Sequence, residues 1–213
     1  MSPPPDTRPS GRTALLGTGP FGRRVAALLA DACDGMYTPP DAHPEHAFEG
    51  ADTVVAALWR TAPALCERLD TLAYETGVRW LPVVLEPGQV RVGPLVVPGT
   101  GPCHNCFETR RLQHDPQPAA AAALGAAYDR DPDCGPAGYL PQQARTAAGL
   151  AAGLLRAPDT EAGTVLRLPA GSRAVRRDTV TRRHGCPRCS PDRPQRDLGA
   201  VMRRVIKEAA GVR

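Results

Sequence analysis

Residues 13–16, Thr-Ala-Leu-Leu, make a short apolar run that stops at Gly17, and beyond it Phe21, Val25, Leu28 and Leu29 recur at intervals near three to four. A bounded apolar run reads as a buried strand, and the wider spacing as one face of a helix. The same two periods return downstream. "ADTVVAAL" predicts a strand through Val54, Val55 and Leu58, then a helix from Ala62 to Gly77 with Leu65, Leu69 and Leu72 on one side. "VRWLPVVLE" predicts another strand, and Gln89 to Pro98 reads as strands or a hairpin bent at Gly93–Pro94. The Ala-rich stretch 116–157 predicts two helices, "PQPAAAAALGAAYD" and "LPQQARTAAGLAAGLLRA", split by "RDPDCGPAG". "GTVLRLPAG" and "SRAVRRDTVTRR" predict two short strands. A last amphipathic helix at 193–213 has Leu198, Val201, Met202, Val205 and Ile206 on its apolar face. Only the segment from Cys33 to Gly50, rich in Pro, His and Asp, breaks the alternation; it holds at best a weak second strand. Strands alternating with helices predict an α/β fold, a mostly parallel sheet with helices on both faces.

Composition sharpens this outline. A length of 213 residues suits one substantial domain with small appendages. Residues 1–11, Pro-rich and polar with no apolar core, read as a disordered lead rather than a signal peptide. No apolar run approaches the roughly 20 residues of a membrane span, so no membrane partner is expected. Seven cysteines in a chain without a secretory signal point to the cytoplasm, where paired cysteines bind metal more often than they form disulfides. Net charge is a mild +4, almost all from arginine, Lys207 being the only lysine. Arginine pairs stand at 23–24, 110–111, 176–177, 182–183 and 203–204. No nucleic-acid motif accompanies them, so they read as solvated faces and nucleic acid is not the expected partner.

Cys103-x-x-Cys106 and Cys186-x-x-Cys189 carry the sharpest chemistry. Each pair of thiolates on a tight turn can supply two corners of a tetrahedron around Zn²⁺. Pro102, Gly185 and Pro187 suit such turns. Four thiolates close the coordination sphere and leave no place for a reacting water, so the expected zinc is structural. It would staple the tail of the chain to its middle, and closing so long a loop removes much unfolded-state entropy. A redox role is less expected because neither pair opens a helix after a strand in a thioredoxin-like βαβ unit. His104 and His184 are alternative ligands. Cys66 reads as a core residue and Cys134 as a loop residue that can be exposed, with Cys33 unassigned.

Gly17, Gly19 and Gly22 form a G-x-G-x-x-G between predicted strand and helix, the context in which backbone amides cradle a phosphate. A dinucleotide site also requires an acidic residue about 20 positions on. Asp31, Asp34 and Asp41 are near, but none ends a clear strand. The glycines are equally explained by the needs of a tight turn and close helix–sheet contact, and both readings stay open here.

The glycine turn, "ADTVVAAL", "GVRWLPVVLEPGQVRVGPLVVPGTGPCHNCFETRR" and the distant "GCPRC" together resemble the ThiF-type superfamily of ubiquitin-activating-like enzymes, over roughly residues 12–192. "VGPLVVPGTGPCHNCFETRR" and "TVLRLPAGSRAVRRDTVTRRHGCPRCS" are most similar to the ThiF-like cyclodehydratase C-type and ocin-ThiF-like proteins that accompany YcaO enzymes in peptide natural-product pathways. The resemblance implies a Rossmann-like sheet with a zinc-clasped β element, a tendency to dimerise, and a precursor peptide or modifying enzyme as partner. It also implies, in adenylating members, an aspartate after the strand matching "TVVAAL" and basic residues on the ATP phosphates. Here that strand is followed by Trp59-Arg60, no lysine precedes Lys207, and no cysteine presents itself for thioester formation. The expectation is therefore a partner protein without adenylation activity. The resemblance also implies a winged-helix peptide-recognition domain in many members, for which there is no room ahead of Gly17. Two alternatives are weighed beside this one: an active adenylyltransferase, in which ATP would be a cofactor, and an NAD(P)-dependent oxidoreductase.

Overall fold

The computed structural model describes residues 11–33, 35–38, 43–131, 133–136, 138–157 and 159–190. Residues 1–10 of the predicted lead, and all of the helix predicted at 193–213, lie outside the described residues. Along the chain run β1 (Thr13–Thr18), α1 (Gly19–Cys33), β2 (Met36–Thr38), β3 (Thr53–Leu58), α2 (Pro63–Thr76), β4 (Arg79–Glu86), β5 (Gln89–Val92), α3 (His104–Gln113), α4 (Pro118–Arg130), α5 (Pro141–Leu155), β6 (Thr164–Pro169) and β7 (Arg176–Thr179).

All seven strands join one sheet in the order β2-β1-β3-β4-β5-β6-β7. β1 pairs parallel with β2 and β3, and β3 with β4. β4–β5, β5–β6 and β6–β7 are antiparallel, so β6 points the same way as the four parallel strands. β3 is buried at every position, as expected of a central parallel strand covered on both faces. Its alternate side chains feed two cores. Val55 and Ala57 join Leu15, Leu81 and Val83 against Phe21, Val25 and Leu29 of α1 and the alanines of α5. Val54, Ala56 and Leu58 join Leu16, Trp80 and Val84 against Leu69 and Ala73 of α2 and against Phe48. The expected α/β sheet with helices on both faces is therefore present. Small residues at Ala144, Ala147 and Ala151 let α5 lie close over the sheet. Pro63, Pro118 and Pro141 open α2, α4 and α5, where a missing N–H breaks no helical bond, and Gly77 ends α2 in the left-handed conformation at φ 74°.

Three elements differ from expectation. The second strand exists but is three residues long; it forms one edge of the sheet and buries only Thr38, so it needs no apolar run. The stretch 89–98 splits: β5 ends at Val92, the chain bends at Gly93–Pro94, and Val96 then bridges to Trp80 at the start of β4. Residues 104–113, assigned to no element from the sequence, form α3.

Candidate metal centre and glycine turn

Cys103 is the residue immediately before α3, and Cys106 lies in its first turn. The chain after β7 brings Cys186 and Cys189 against them, and all four are buried. Cys103 Sγ lies 3.7 Å from Cys106 Sγ and 3.6 Å from Cys186 Sγ, and Cys106 Sγ lies 3.5 Å from Cys189 Sγ. The four sulfurs fall within 4.8 Å of one another. A tetrahedron with metal–sulfur bonds of about 2.3 Å has edges of about 3.8 Å. The observed spacing is close to this, so the four sulfurs could hold a metal ion. The first pair opens α3, which begins at His104, but β5 before it pairs antiparallel with both its neighbours, so this is no thioredoxin-like βαβ unit. Nor is the pair an isolated dithiol, since two further sulfurs lie at contact distance.

The local field favours a thiolate at one corner. The S–H of Cys103 and the backbone N–H of Arg183, at 3.2 Å, both point at Cys106, whose thiol is drawn down to about 4. The same shared proton, together with burial, pushes Cys103 up. Thiolate is the form a metal binds. His104 takes no part in the sulfur set. It is buried, with its ring 5.2 Å from Trp80 and 5.6 Å from Phe107, and burial keeps it neutral. His184 is exposed.

A second layer, absent from the sequence reading, holds both cysteine pairs to the sheet. Asp70 of α2 is fully buried. One carboxylate oxygen accepts the indole N–H of Trp80 at 3.1 Å and the backbone N–H of His104 at 3.0 Å. The other accepts from Arg188, inside the second cysteine pair, at 2.7 Å. Arg188 also reaches Glu67 and Thr71. Burial raises the Asp70 carboxyl, and these three donors oppose that rise. The arginine pairs contribute here as well: Arg182 donates to the carbonyls of Gly99 and Gly101, and Arg110 to those of Thr181 and Arg182. The only sequence hint was position, Arg188 lying between two cysteines.

The glycine motif has no intervening loop, since β1 runs to Thr18 and α1 begins at Gly19. A Cβ on Gly22 would stand 2.1 Å from the carbonyl oxygen of Ala57, and one on Gly17 2.8 Å from that of Gly22. These two glycines let α1 approach β3. Gly19, at φ 60°, would place a Cβ 2.1 Å from the ring of Trp59, and Gly135 one at 2.6 Å from the same indole. Trp59 is therefore held between Gly19 and Gly135. The neighbouring Arg60 guanidinium lies 4.7 Å from the Tyr128 ring centre and 3.1 Å from the carbonyl of Asp131.

Two crevices flank this wall, one of about 550 Å³ reaching Gly19, Arg23 and Asp129, the other of about 410 Å³ reaching Leu85, Gly88 and Gly135. α1 covers one face of the sheet and α2 the other, so the chain switches sides between β1 and β3. Open α/β sheets take ligands at such a switch, beyond the carboxyl ends of the strands. Trp59 and Arg60 stand at that place. Of the acidic residues near the motif, Asp31 is exposed on α1, and Asp34 and Asp41 lie outside the described residues. Cys66 is a core residue, its thiol pushed up to about 12 by burial, and Cys134 is exposed.

Solved structures of this architecture exist. A heterocyclase in complex with substrate and cofactor superposes with a TM-score of 0.57 at 18% identity, covering 84% of this chain and 25% of its own. The heterocyclase TruD gives 0.57 at 21% identity, covering 90% of this chain and 31% of its own. E. coli MccB, in a structure with MccA, gives 0.59 at 13% identity, covering 87% and 68%. This chain shares their fold. It spans a quarter to a third of the heterocyclases' length. No protein-family model matches the chain, and no curated protein does. Among the described residues, no helix is long and apolar enough to cross a membrane.

Proposed function

We propose that this chain is a ThiF-type partner protein in the modification of ribosomally made peptides. It binds the precursor peptide, or docks on and activates a modifying enzyme such as a YcaO cyclodehydratase or a dehydratase, and does not itself adenylate. One observation carries this reading: where adenylating members of the resembled family have an aspartate, this chain has Trp59, which stands over the glycine turn against Gly19 and Gly135, and Arg60, which lies over the Trp59 ring. A nucleotide would have to displace the indole to reach the amides at the start of α1. The shared fold with heterocyclases and MccB supports the pathway.

The four buried sulfurs are read as ligands of a structural Zn²⁺ through Cys103, Cys106, Cys186 and Cys189, with every corner taken by protein. That chemistry suits a reducing cytoplasm, with the chain working as a homodimer or as a heteromer with its enzyme. Gly17 and Gly22 then serve helix–sheet packing, and Gly19 makes room for Trp59, rather than any of them serving a cofactor.

Two assays test the reading. Azoline formation by the YcaO enzyme of the same pathway rises when this chain is added. ATP–pyrophosphate exchange by the chain alone, with precursor peptide present, stays at background. Exchange above background would reinstate the adenylyltransferase; no effect on the partner's rate would remove the partner role.

A further inference from the structure

Residues 164–190, from β6 to the second cysteine pair, hold seven arginines and one acid, Asp178, although the whole chain is only +4. The basic charge of the molecule is thus concentrated on the last hairpin and the arm behind it. β7 ends the sheet, and all four of its residues are exposed. The N–H of Leu95 donates to the carbonyl of Thr164 at 3.0 Å, so Thr164 turns its backbone away from β7. Its cross-strand partner Thr179, and Arg177 two residues before it, therefore direct their N–H and C=O groups outward. No strand lies beyond them among the described residues. Such an edge is a template for an extended chain.

The side chains say what kind of chain. Arg176 lies directly opposite Arg167, a like-charged cross-strand pair that is destabilising unless an anion approaches. Arg167 reaches Asp178, whereas Arg173 and Arg176 have no side-chain partner among the described residues. Beside the strand a cleft of about 550 Å³ opens towards α3, but Glu86, Asp115 and Asp178 line it together with Arg110 and Arg111, so the charge that would select an anion is that of Arg173 and Arg176. Residues 164–190 contain no Phe, Tyr or Trp on which a base could stack, which favours a peptide over a single-stranded nucleic acid. Arginines along the edge also repel a second copy of the same edge.

We infer that the outer edge of β7 takes an extended acidic peptide as an added strand, with its carboxylates against Arg173 and Arg176. This rests on the reading of the chain as a peptide-handling partner, and names where the peptide is held. The test uses the full chain and fluorescence anisotropy. The probes are a labelled dodecapeptide alternating Glu and Val, the same peptide N-methylated at alternate residues, and labelled oligothymidylate.

The unmodified acidic peptide binds best. Its affinity falls about tenfold in the double variant Arg173→Glu, Arg176→Glu, and by a similar factor on N-methylation, which removes strand hydrogen bonds but no charge. The variant melts no lower than the parent, because the Arg167–Arg176 opposition is gone. Equal binding by the variant or of the N-methylated peptide overturns the proposal, as does tighter binding of oligothymidylate. If no peptide binds while the chain still accelerates its cyclodehydratase, the β7 proposal falls and the partner reading stands; if neither occurs, both fall.

Discussion

The glycine turn and the cysteine clasp are both short motifs that converge where the chain returns on itself, but they end differently. At the turn, the space left by each absent side chain is taken by the chain itself: the Ala57 carbonyl at Gly22 and the Trp59 indole at Gly19. At the clasp, four sulfurs approach one another at 3.5–3.7 Å along three of their edges, near the edges of a metal-centred tetrahedron. A spacing of small residues records only that something passes close by. Four soft donors in that arrangement specify the chemistry of the guest.

The largest effect is expected at the clasp. If the four sulfurs hold zinc as proposed, Cys106→Ser removes one corner and with it the metal: stability in a denaturant melt drops by on the order of 4 kcal/mol, and elemental analysis finds zinc in the parent and none in the variant. An unchanged melt and metal content would mean the sulfurs are ordinary core residues. Next is Asp70→Ala, which leaves the Trp80 indole N–H and the His104 amide without their acceptor and takes from Arg188 its buried partner. A loss of about 3 kcal/mol is expected, with zinc affinity, measured by competition with a chelator, weakened at least about tenfold. Asp70→Asn does less harm: its one carbonyl oxygen still accepts from the Trp80 indole and the His104 amide, although its NH2 then faces Arg188 donor to donor.

At the turn, Gly22→Ala collides with a backbone carbonyl that cannot swing away and loses about 2 kcal/mol in the same melt. Gly19→Ala meets a side chain that can move, and shifts the emission of Trp59, one of only two tryptophans. Emission changed equally by both variants would deny Trp59 its place against Gly19.

The smallest effect concerns the Glu86–Arg91 pair, which ties the β4–β5 turn to the clasp helix through Arg91 lying 4.6 Å over the Phe107 ring. Burial, the largest single influence, would raise the Glu86 carboxyl, but the charge and hydrogen bond of Arg91, with the Gln89 amide and the Arg111 charge, together hold it below its ordinary 4.5. A lowered folded value gives stability that is present above the unfolded value and lost as pH falls through the folded one. Acid melts from pH 4.5 downward should therefore lose less stability in Glu86→Gln than in the parent. Parallel curves would refute the assignment.

The parallel half of the fold was legible because its signals are local. Val54 to Leu58 is an unbroken apolar run, Phe21 to Leu29 carries the helical period, and the four cysteines announce each other by spacing alone. Short or edge elements were not. β2 buries one residue, and α3 has little apolar periodicity because its buried side is made of His104, Cys106 and Phe107. Asp70 looks like any polar residue on an amphipathic helix; only the return of Arg188 over more than a hundred residues makes it the anchor of the clasp. Trp59 follows a strand with no pattern of its own, and its role exists only because Gly19 and Gly135 meet across it.

The proposed function requires that the four sulfurs take a metal and that the glycine turn takes no nucleotide. Isothermal titration of the zinc-replete chain with Mg²⁺-ATP, followed in parallel by tryptophan emission, addresses it most directly. Neither saturable heat nor a change in emission is expected up to millimolar nucleotide; saturable binding at micromolar ATP, with Trp59 emission moving in step, would overturn the proposed function.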